Sequence, residues 1–554
     1  MDRFRTRLSF PLCGLIAVLS ALPLSTSALA LDPLVAARRA DQFLAKELYG
    51  GTAEGAPDAP AQPSAATDDA TFLRRVSLDL VGATPTPEEL TAYSLDLSEN
   101  KRANAVKRLL AKPAFGQNWA RYWRDVVMYR RSEERGLLAS PAMVEFLTDA
   151  FNNTPHWNRI AHQFITATGD VRERGDTALI MAQMGNAEDT TAEVSRIFMG
   201  IQIQCAQCHH HPTDRWKREQ FHELAAFFPR IGVRPVRDGE QRSFAVMSVD
   251  RERGKDKKDK PGRGSLEHRM PDLKNPDDEG KVMRPVFFVT GQRLETGLSD
   301  AERRNHIADW ITADKNPWFA RAFVNRIWSE MVGTGFYEPV DDIGPDRKCS
   351  APRTLDYLSD QFAANQYDVK WLFSAIAATE AYGRESRSRV NDGAAPFTSA
   401  CPQRLRGDQL FNTLVTVLGI PEEQGGRNKD GKNYRAMLGS PRARVNQTFG
   451  YDPSAPRDEI AGSIPQALFL MNAPELGNAM NAKRPGTSIG QLLNQVPKNE
   501  DLVAELYLRC LAREPKPTEL QTCLEHVQAT SSRAEAFEDI LWALVNSTEF
   551  LNRK

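Results

Sequence analysis

Two cysteines and three histidines lie close together near the middle of the chain, in the run Cys205-Ala-Gln-Cys208-His209-His-His-Pro212. Two thiols three positions apart on a short turn can add to the two vinyl groups of one porphyrin. The imidazole of the next residue can then bind the iron as its proximal ligand. The spacing therefore predicts a c-type haem attached to Cys205 and Cys208, with His209 bound to the iron.

Two other interpretations of the motif stay open on the residues alone. A structural zinc site needs four ligands, and here only Cys205, Cys208, His211 and His222 supply them, at an unusual spacing. Alternatively, the two cysteines form a disulfide or stay reduced in a helical turn, beside three solvated histidines. A haem-free accessory or binding protein of the cell envelope would follow from either alternative.

Further chemistry depends on residues away from the motif. If a haem is present, Met181, Met184, Met199 and His222 are the options for its sixth iron ligand; the sequence does not choose among them, and each such residue is more often a packing or surface residue. An electron carrier is expected if that position is filled, and small-molecule or peroxide chemistry if it is open. A hydrolytic site would use Asp341, Asp342 and His306, although acidic residues on such loops are more often solvated or ion-paired. Neither a Gly-x-Ser-x-Gly nor a His-Glu-x-x-His motif occurs in the chain.

Residues 1–30 predict a secretory signal peptide. Three arginines precede an apolar stretch at residues 8–24, and Ala28-Leu29-Ala30 is a typical cleavage site. The apolar stretch contains two prolines and is short for a membrane span, so a retained anchor is the alternative. We therefore expect a periplasmic or secreted protein, with peripheral association with the cell envelope as a further expectation. Export is also where covalent haem attachment is expected.

The other cysteines give weaker signals of an oxidising compartment. Cys510 and Cys523 lie at near-equal distances on either side of a turn containing Pro515 and Pro517, which predicts a disulfide if both side chains face inward. Cys349 and Cys401 form a second pair or remain buried thiols.

The length of 554 residues and a hydrophobic content of 41% predict two or three domains. Helical periodicity predominates, so a mainly α fold is expected. The near-neutral balance, with a net charge of −1, gives no reason to expect a nucleic-acid partner, and the redox partner is unknown. The expected divisions are a signal peptide at 1–30, a short helix and linker at 31–70, a helical domain with the motif at 71–230, a β-rich insert with a charged loop at 231–298, and a helical C-terminal domain at 299–554.

Several local patterns support this organisation. Thr86 followed by Pro87 and Glu89 predicts a capped helix start. The four-residue repeat Phe319, Phe323, Ile327 and Met331 predicts a buried helix stripe that ends at Gly333. Short strand-like runs at 243–249 and 282–290 predict a small antiparallel insert.

Two parts of the chain resemble a known pair of domains. The segments 72–90, Trp119-Ala-Arg-Tyr-Trp123, 205–216 and 221–228 are similar to the planctomycete secreted cytochrome-like domain. Residues 316–328, beginning Asn316-Pro-Trp-Phe319, and residues 335–344 are similar to the C-terminal domain that usually accompanies it. Both domains have no known function, and the cytochrome label rests mainly on the Cys-x-x-Cys-His motif.

The resemblance also bears on individual residues of the motif. It retains Cys205, Cys208 and His209, while the family commonly has Asp or Asn at the position of His210. His211 and Asp214 match the family pattern. The resemblance implies that these two residues orient the motif loop or bind a metal of their own.

Overall fold

Helices dominate the structure, a computed structural model, and the mainly α fold class is confirmed. The described residues are 31–48, 62–238, 241–250, 266–275, 277–387, 396–420, 439–455 and 462–554. The predicted signal peptide, residues 49–61 of the predicted linker and the charged run at 251–263 lie outside these ranges. Within them, every helix is too short or too polar to cross a membrane.

The first half of the chain carries the motif between two of its helices. Its α-helices are Pro33–Leu48, Asp69–Val81, Pro87–Ser94, Lys101–Leu110, Pro113–Met128, Ser140–Asn153, Trp157–Thr166, Ala178–Ala182, Ala187–Met199 and Arg218–Ala225. Short 3-10 helices cover Glu134–Ala139, Gly175–Thr177 and Ile203–Gln207. The last of these contains Cys205.

The second half is also helical. Its described α-helices are Asp300–Thr312, Pro317–Val332, Pro352–Ala364, Val369–Ala377, Glu380–Gly383, Gly407–Leu418, Pro441–Phe449, Ile464–Asn472, Pro474–Ala479, Ser488–Gln495, Asn499–Leu511, Pro517–Ala529, Arg533–Val545 and Thr548–Leu551.

Side chains at the helix ends explain where several helices begin and stop. The predicted capping box is confirmed: the Glu89 N–H donates to Thr86 Oγ1 at 3.3 Å, and the Thr86 N–H donates to Glu89 Oε2 at 3.2 Å. The helix Pro317–Val332 buries its predicted stripe and ends at Gly333, whose φ of +103° is readily adopted only by glycine.

The strands are short and antiparallel. The predicted run at 243–249 lies almost wholly in one strand, whereas the predicted run at 282–290 is divided between two hairpins. Strand Gln241–Ser248 pairs with Ile231–Asp238 on one side and with Gly169–Asp170 on the other. Two smaller hairpins follow, Arg269–Met270 with Lys281–Val282 and Val286–Phe287 with Gln292–Arg293. A final pair joins Gln403–Arg404 to Asn552–Arg553 near the end of the chain.

Two hydrophobic cores support the described chain, and residues 31–554 belong to one compact unit. The larger core draws on both the 71–230 and the 299–554 stretches; for example, the rings of Trp123 and Trp157 pack on Phe323 at centroid distances of 5.7 and 4.6 Å. The smaller core lies among residues 405–550 and also buries Leu78. The motif-bearing helices are therefore held by the larger core.

The predicted disulfide between Cys510 and Cys523 is wrong, because both thiols are free. Cys510 is buried in the smaller core, where burial raises the pKa of its thiol to about 12. Cys523 accepts a hydrogen bond from the Tyr507 hydroxyl instead. Cys349 is also a free thiol and accepts a hydrogen bond from Tyr337, so it does not pair with Cys401.

Candidate functional site

The motif cysteines lie on a turn that begins where a buried helix stops. The helix Ala187–Met199 ends at Gly200, whose φ is +66°. A Cβ at Gly200 would come within 2.7 Å of the Ile343 side chain, so this exit is closely packed. The Ile343 N–H donates to the Gly200 carbonyl at 2.6 Å. The start of the turn is therefore anchored to the loop at residues 340–344, called the 340s loop below.

The geometry of a 3-10 helix separates the turn into a buried and an exposed face. Residues three apart eclipse one another in such a helix. Ile203 and Ala206 are fully buried, whereas Cys205 and Cys208 are exposed. The spacing therefore places both cysteines on the exposed face, while Ile203 and Ala206 pack the turn against the core.

Backbone hydrogen bonds distinguish the three consecutive histidines. His209 Nδ1 lies 2.7 Å from the His210 carbonyl, and only a protonated nitrogen can donate to a carbonyl, so neutral His209 carries its proton on Nδ1. Its Nε2 is then a bare lone pair. His210 Nδ1 accepts from the Arg218 N–H at 3.2 Å and His211 Nδ1 accepts from the Thr213 N–H at 3.4 Å. For these two rings a proton on Nε2 goes with the acceptor role of Nδ1, so binding a metal through Nε2 would cost each ring its backbone hydrogen bond.

A buried histidine pair supports the turn from below. His222 Nε2 donates to the Gln207 carbonyl at 3.0 Å, and its Nδ1 lies 2.8 Å from His268 Nε2. The two rings stack with their centroids 5.1 Å apart. The pKa of His222 and that of His268 are both lowered to about 4, mainly because the rings are buried. The hydrogen bond to the Gln207 carbonyl opposes this effect at His222. Both rings are therefore neutral at pH 7.

The rest of the loop is fixed by its own residues and by the 340s loop. The His211 N–H donates to the Trp216 carbonyl at 2.8 Å, and the Trp216 ring is buried against Phe288. Asp214 Oδ2 approaches Gly344 so closely that a Cβ there would lie 1.7 Å from it. Burial raises the pKa of Asp214. His211 and Asp214 thus shape the loop.

These residues have the types and the order that attachment of a haem would need. Cys205 and Cys208 present their thiols on one exposed face, and His209 follows with a bare Nε2. A carbonyl that accepts from Nδ1 is the usual device for orienting a histidine ligand. Each thiol would add across one vinyl group, and His209 would bind the iron.

The sets predicted for other metal ligands do not come together. Within the described ranges, His, Cys, Asp and Glu side chains form no group of three or more that could hold a metal ion. Both ring nitrogens of His222 are engaged, so His222 is not available to zinc or to a haem iron. Met181 and Met199 are fully buried and Met184 is half-buried, so none of the three methionines is exposed beside the thiols.

The residues of the hydrolytic interpretation have other partners. Asp341 is buried and accepts from Arg196, Arg326, Ser454 and Gln202, at 2.8, 3.3, 2.6 and 3.0 Å. Burial raises its pKa, but the two guanidinium groups outweigh burial and hold the pKa well below its usual range. Asp342 pairs with Arg347 at 3.0 Å, and His306 packs on Trp310. Asp341 is therefore a structural anion.

Two residues of the site, Arg218 and His268, were not among the residues predicted from the sequence. Arg218 donates from Nε to the Gln207 carbonyl at 3.3 Å and from Nη2 to the Pro271 carbonyl at 2.6 Å. His268 lies 46 positions after His222, on the edge of the insert. No local pattern links His268 to the motif, because only the tertiary fold brings the insert beneath the turn.

Comparisons with known proteins place two domains on the chain. Residues 53–232 match the family described as PSCyt2, protein of unknown function (DUF1549), and residues 303–527 match PSD1, protein of unknown function (DUF1553). No curated protein matches the chain. No solved structure matches it either. The chain therefore contains, in this order, a region that matches PSCyt2 and a region that matches PSD1, the domain pair known from planctomycetes.

Proposed function

We propose that this chain is an exported c-type haem-binding protein that transfers electrons at the cell envelope. One haem would be attached through Cys205 and Cys208, with His209 as its proximal ligand. The observation that carries the proposal is the arrangement of the three side chains on one exposed turn. The haem would supply a reversible one-electron couple.

The histidine tautomers support His209 over its neighbours. His209 donates from Nδ1 to a carbonyl and keeps the lone pair of Nε2, whereas His210 and His211 accept at Nδ1. A ligand nitrogen must be deprotonated when it binds a metal. His209 therefore meets this requirement without losing its backbone hydrogen bond, and the other two rings do not.

The exposure of the turn supports exchange of electrons with a partner. Cys205, Cys208 and His209 are all exposed, so a group attached there would lie at the protein surface. Leu273, which is 61% exposed, lies two residues after Pro271, the residue that Arg218 ties to the motif. One exposed apolar side chain is therefore available to a partner near the motif.

The decisive experiment uses the covalent character of the attachment. The protein is expressed with a c-type maturation system and analysed by absorption spectroscopy and by haem staining of a denaturing gel. We expect a Soret band and a stain that survives denaturation, because thioether bonds do. Cys205→Ala with Cys208→Ala should abolish the stain. Cys523→Ala, a cysteine outside the motif, is the matched control and should keep it.

The neighbouring histidines supply a second matched pair. His209→Ala should alter the iron spectrum or lower attachment, and His210→Ala should leave both unchanged, since only His209 has a bare Nε2. A colourless protein that holds one zinc per chain, or one with a disulfide between Cys205 and Cys208, would reject the proposal in favour of a haem-free accessory protein.

A further inference from the structure

The carbonyl of Gln207 lies at the centre of the Cys-x-x-Cys turn, and two side chains converge on it. His222 Nε2 donates to it at 3.0 Å and Arg218 Nε at 3.3 Å. Both donors lie on the helix Arg218–Ala225. Fixing this carbonyl fixes the peptide between Gln207 and Cys208, and so restricts the placement of the Cys208 thiol relative to that of Cys205.

The two donors are themselves held by the insert. His268 lies directly before the strand Arg269–Met270, and its Nε2–H is the donor that satisfies Nδ1 of neutral His222. Arg218 Nη2 donates to the carbonyl of Pro271, directly after that strand. The residues at the two ends of this strand therefore contact His222 and Arg218, the two donors to the Gln207 carbonyl.

The insert is anchored to the neighbouring helices at this point. Glu267 accepts from Arg303 with both carboxylate oxygens at 2.7 Å, and from Arg230 at 2.8 Å. The Met283 N–H donates to the His268 carbonyl at 2.9 Å. Arg303 itself is fully buried. These contacts fix His268, so its ring can orient His222.

We propose that His268 is a positioning residue of the motif, which acts through His222 to hold the Cys205–Cys208 turn in the geometry needed for attachment. The insert would thus help to fix the geometry of the motif. The predicted effect on haem attachment rests on the proposed function. The predicted ordering of the turn does not require haem.

The first test measures amide hydrogen exchange in haem-free protein, in peptides that cover residues 203–211. His268→Leu removes the donor to His222, and we expect exchange in these peptides to rise about tenfold, as for the loss of one hydrogen bond. His268→Gln keeps an N–H near the position of Nε2 and should restore protection. His526→Leu, a histidine on the distant helix Pro517–Ala529 that pairs with Asp539, is the control and should change nothing there.

The second test measures haem attachment in the same variants. The fraction of chains with two thioether bonds should fall at least twofold in His268→Leu and recover in His268→Gln. If His268→Leu does not fold, Arg218→Leu removes the other support and should raise exchange in the same peptides. A colourless wild type with loosened turn peptides in His268→Leu would reject the proposed function and keep this inference. Unchanged turn peptides, or equal loosening of the whole core in the Leu and Gln variants, would overturn it.

Discussion

The exposed turn of Cys205 and Cys208 and the buried carboxylate of Asp341 are neighbours with opposite properties. Gln202, which directly precedes the turn, donates to Asp341 at 3.0 Å. The carboxylate oxygens of Asp341 accept hydrogen bonds from four buried or half-buried partners. On the turn, by contrast, Cys205, Cys208 and His209 are exposed to solvent. Residue type marks both regions as candidates for chemistry. What separates them is whether the tertiary partners consume or preserve the reactive atoms.

The largest expected effect comes from breaking the buried region. Asp341→Asn should lower the free energy of unfolding by about 3–5 kcal/mol, because Arg196 and Arg326 would be left as uncompensated buried charges. Asp342→Asn is the control, since it loses one partly exposed ion pair and should cost about 1 kcal/mol or less. Denaturant unfolding measures both. Equal losses in the two variants would show that Asp341 is not the structural anion described above.

The next effect divides the turn itself into its two faces. Ile203→Ala should lower the free energy of unfolding by about 2–4 kcal/mol, because it empties a fully buried site. Cys205→Ser, on the exposed face, should change it by no more than about 0.5 kcal/mol. Thermal or chemical unfolding of haem-free protein gives both values. A large loss in Cys205→Ser would mean that the thiol is packed rather than exposed.

The smallest effect per residue contrasts the buried and exposed histidines through pH. The folded pKa values of His222 and His268, about 4, lie below the ordinary value of 6.5, so the unfolded chain binds more protons between these limits. Stability is therefore complete above about pH 6.5 and falls as the pH falls towards 4. Between pH 7 and pH 5 we expect each of the two rings to contribute a loss of about 2 kcal/mol.

Two charged groups face the buried histidine pair, and replacing the pair tests whether the pH dependence comes from it. Glu188 lies 3.8 Å from His268 Nδ1, and Arg218 faces His222. Replacing both rings in His222→Gln with His268→Gln should flatten the pH dependence measured by urea unfolding. Replacing His209, His210 and His211 by Gln should leave it unchanged. An unchanged slope in the first variant would assign the dependence to other groups.

Several features of the fold were predictable because they depend on residues close in sequence. Thr86 and Glu89 are three positions apart, which is the distance a capping box spans, and Gly333 ends a helix because it adopts a positive φ. The disulfide prediction failed for the opposite reason. Equal spacing of Cys510 and Cys523 about a turn does not determine the directions of their side chains, and the packing of Tyr507 decided them.

The sequence by itself determined the helical class, the capped helix starts and the candidate ligands Cys205, Cys208 and His209, since local spacing sets each of these. Tertiary structure alone decided which face of the turn is exposed, that His268 supports His222 beneath the turn, and that Asp341 is a buried anion. These outcomes depend on partners far away in sequence, such as His268 and Arg326. A hydrogen bond or buried ion pair between such residues leaves no periodic pattern in the sequence, because only the folded chain brings the two groups together.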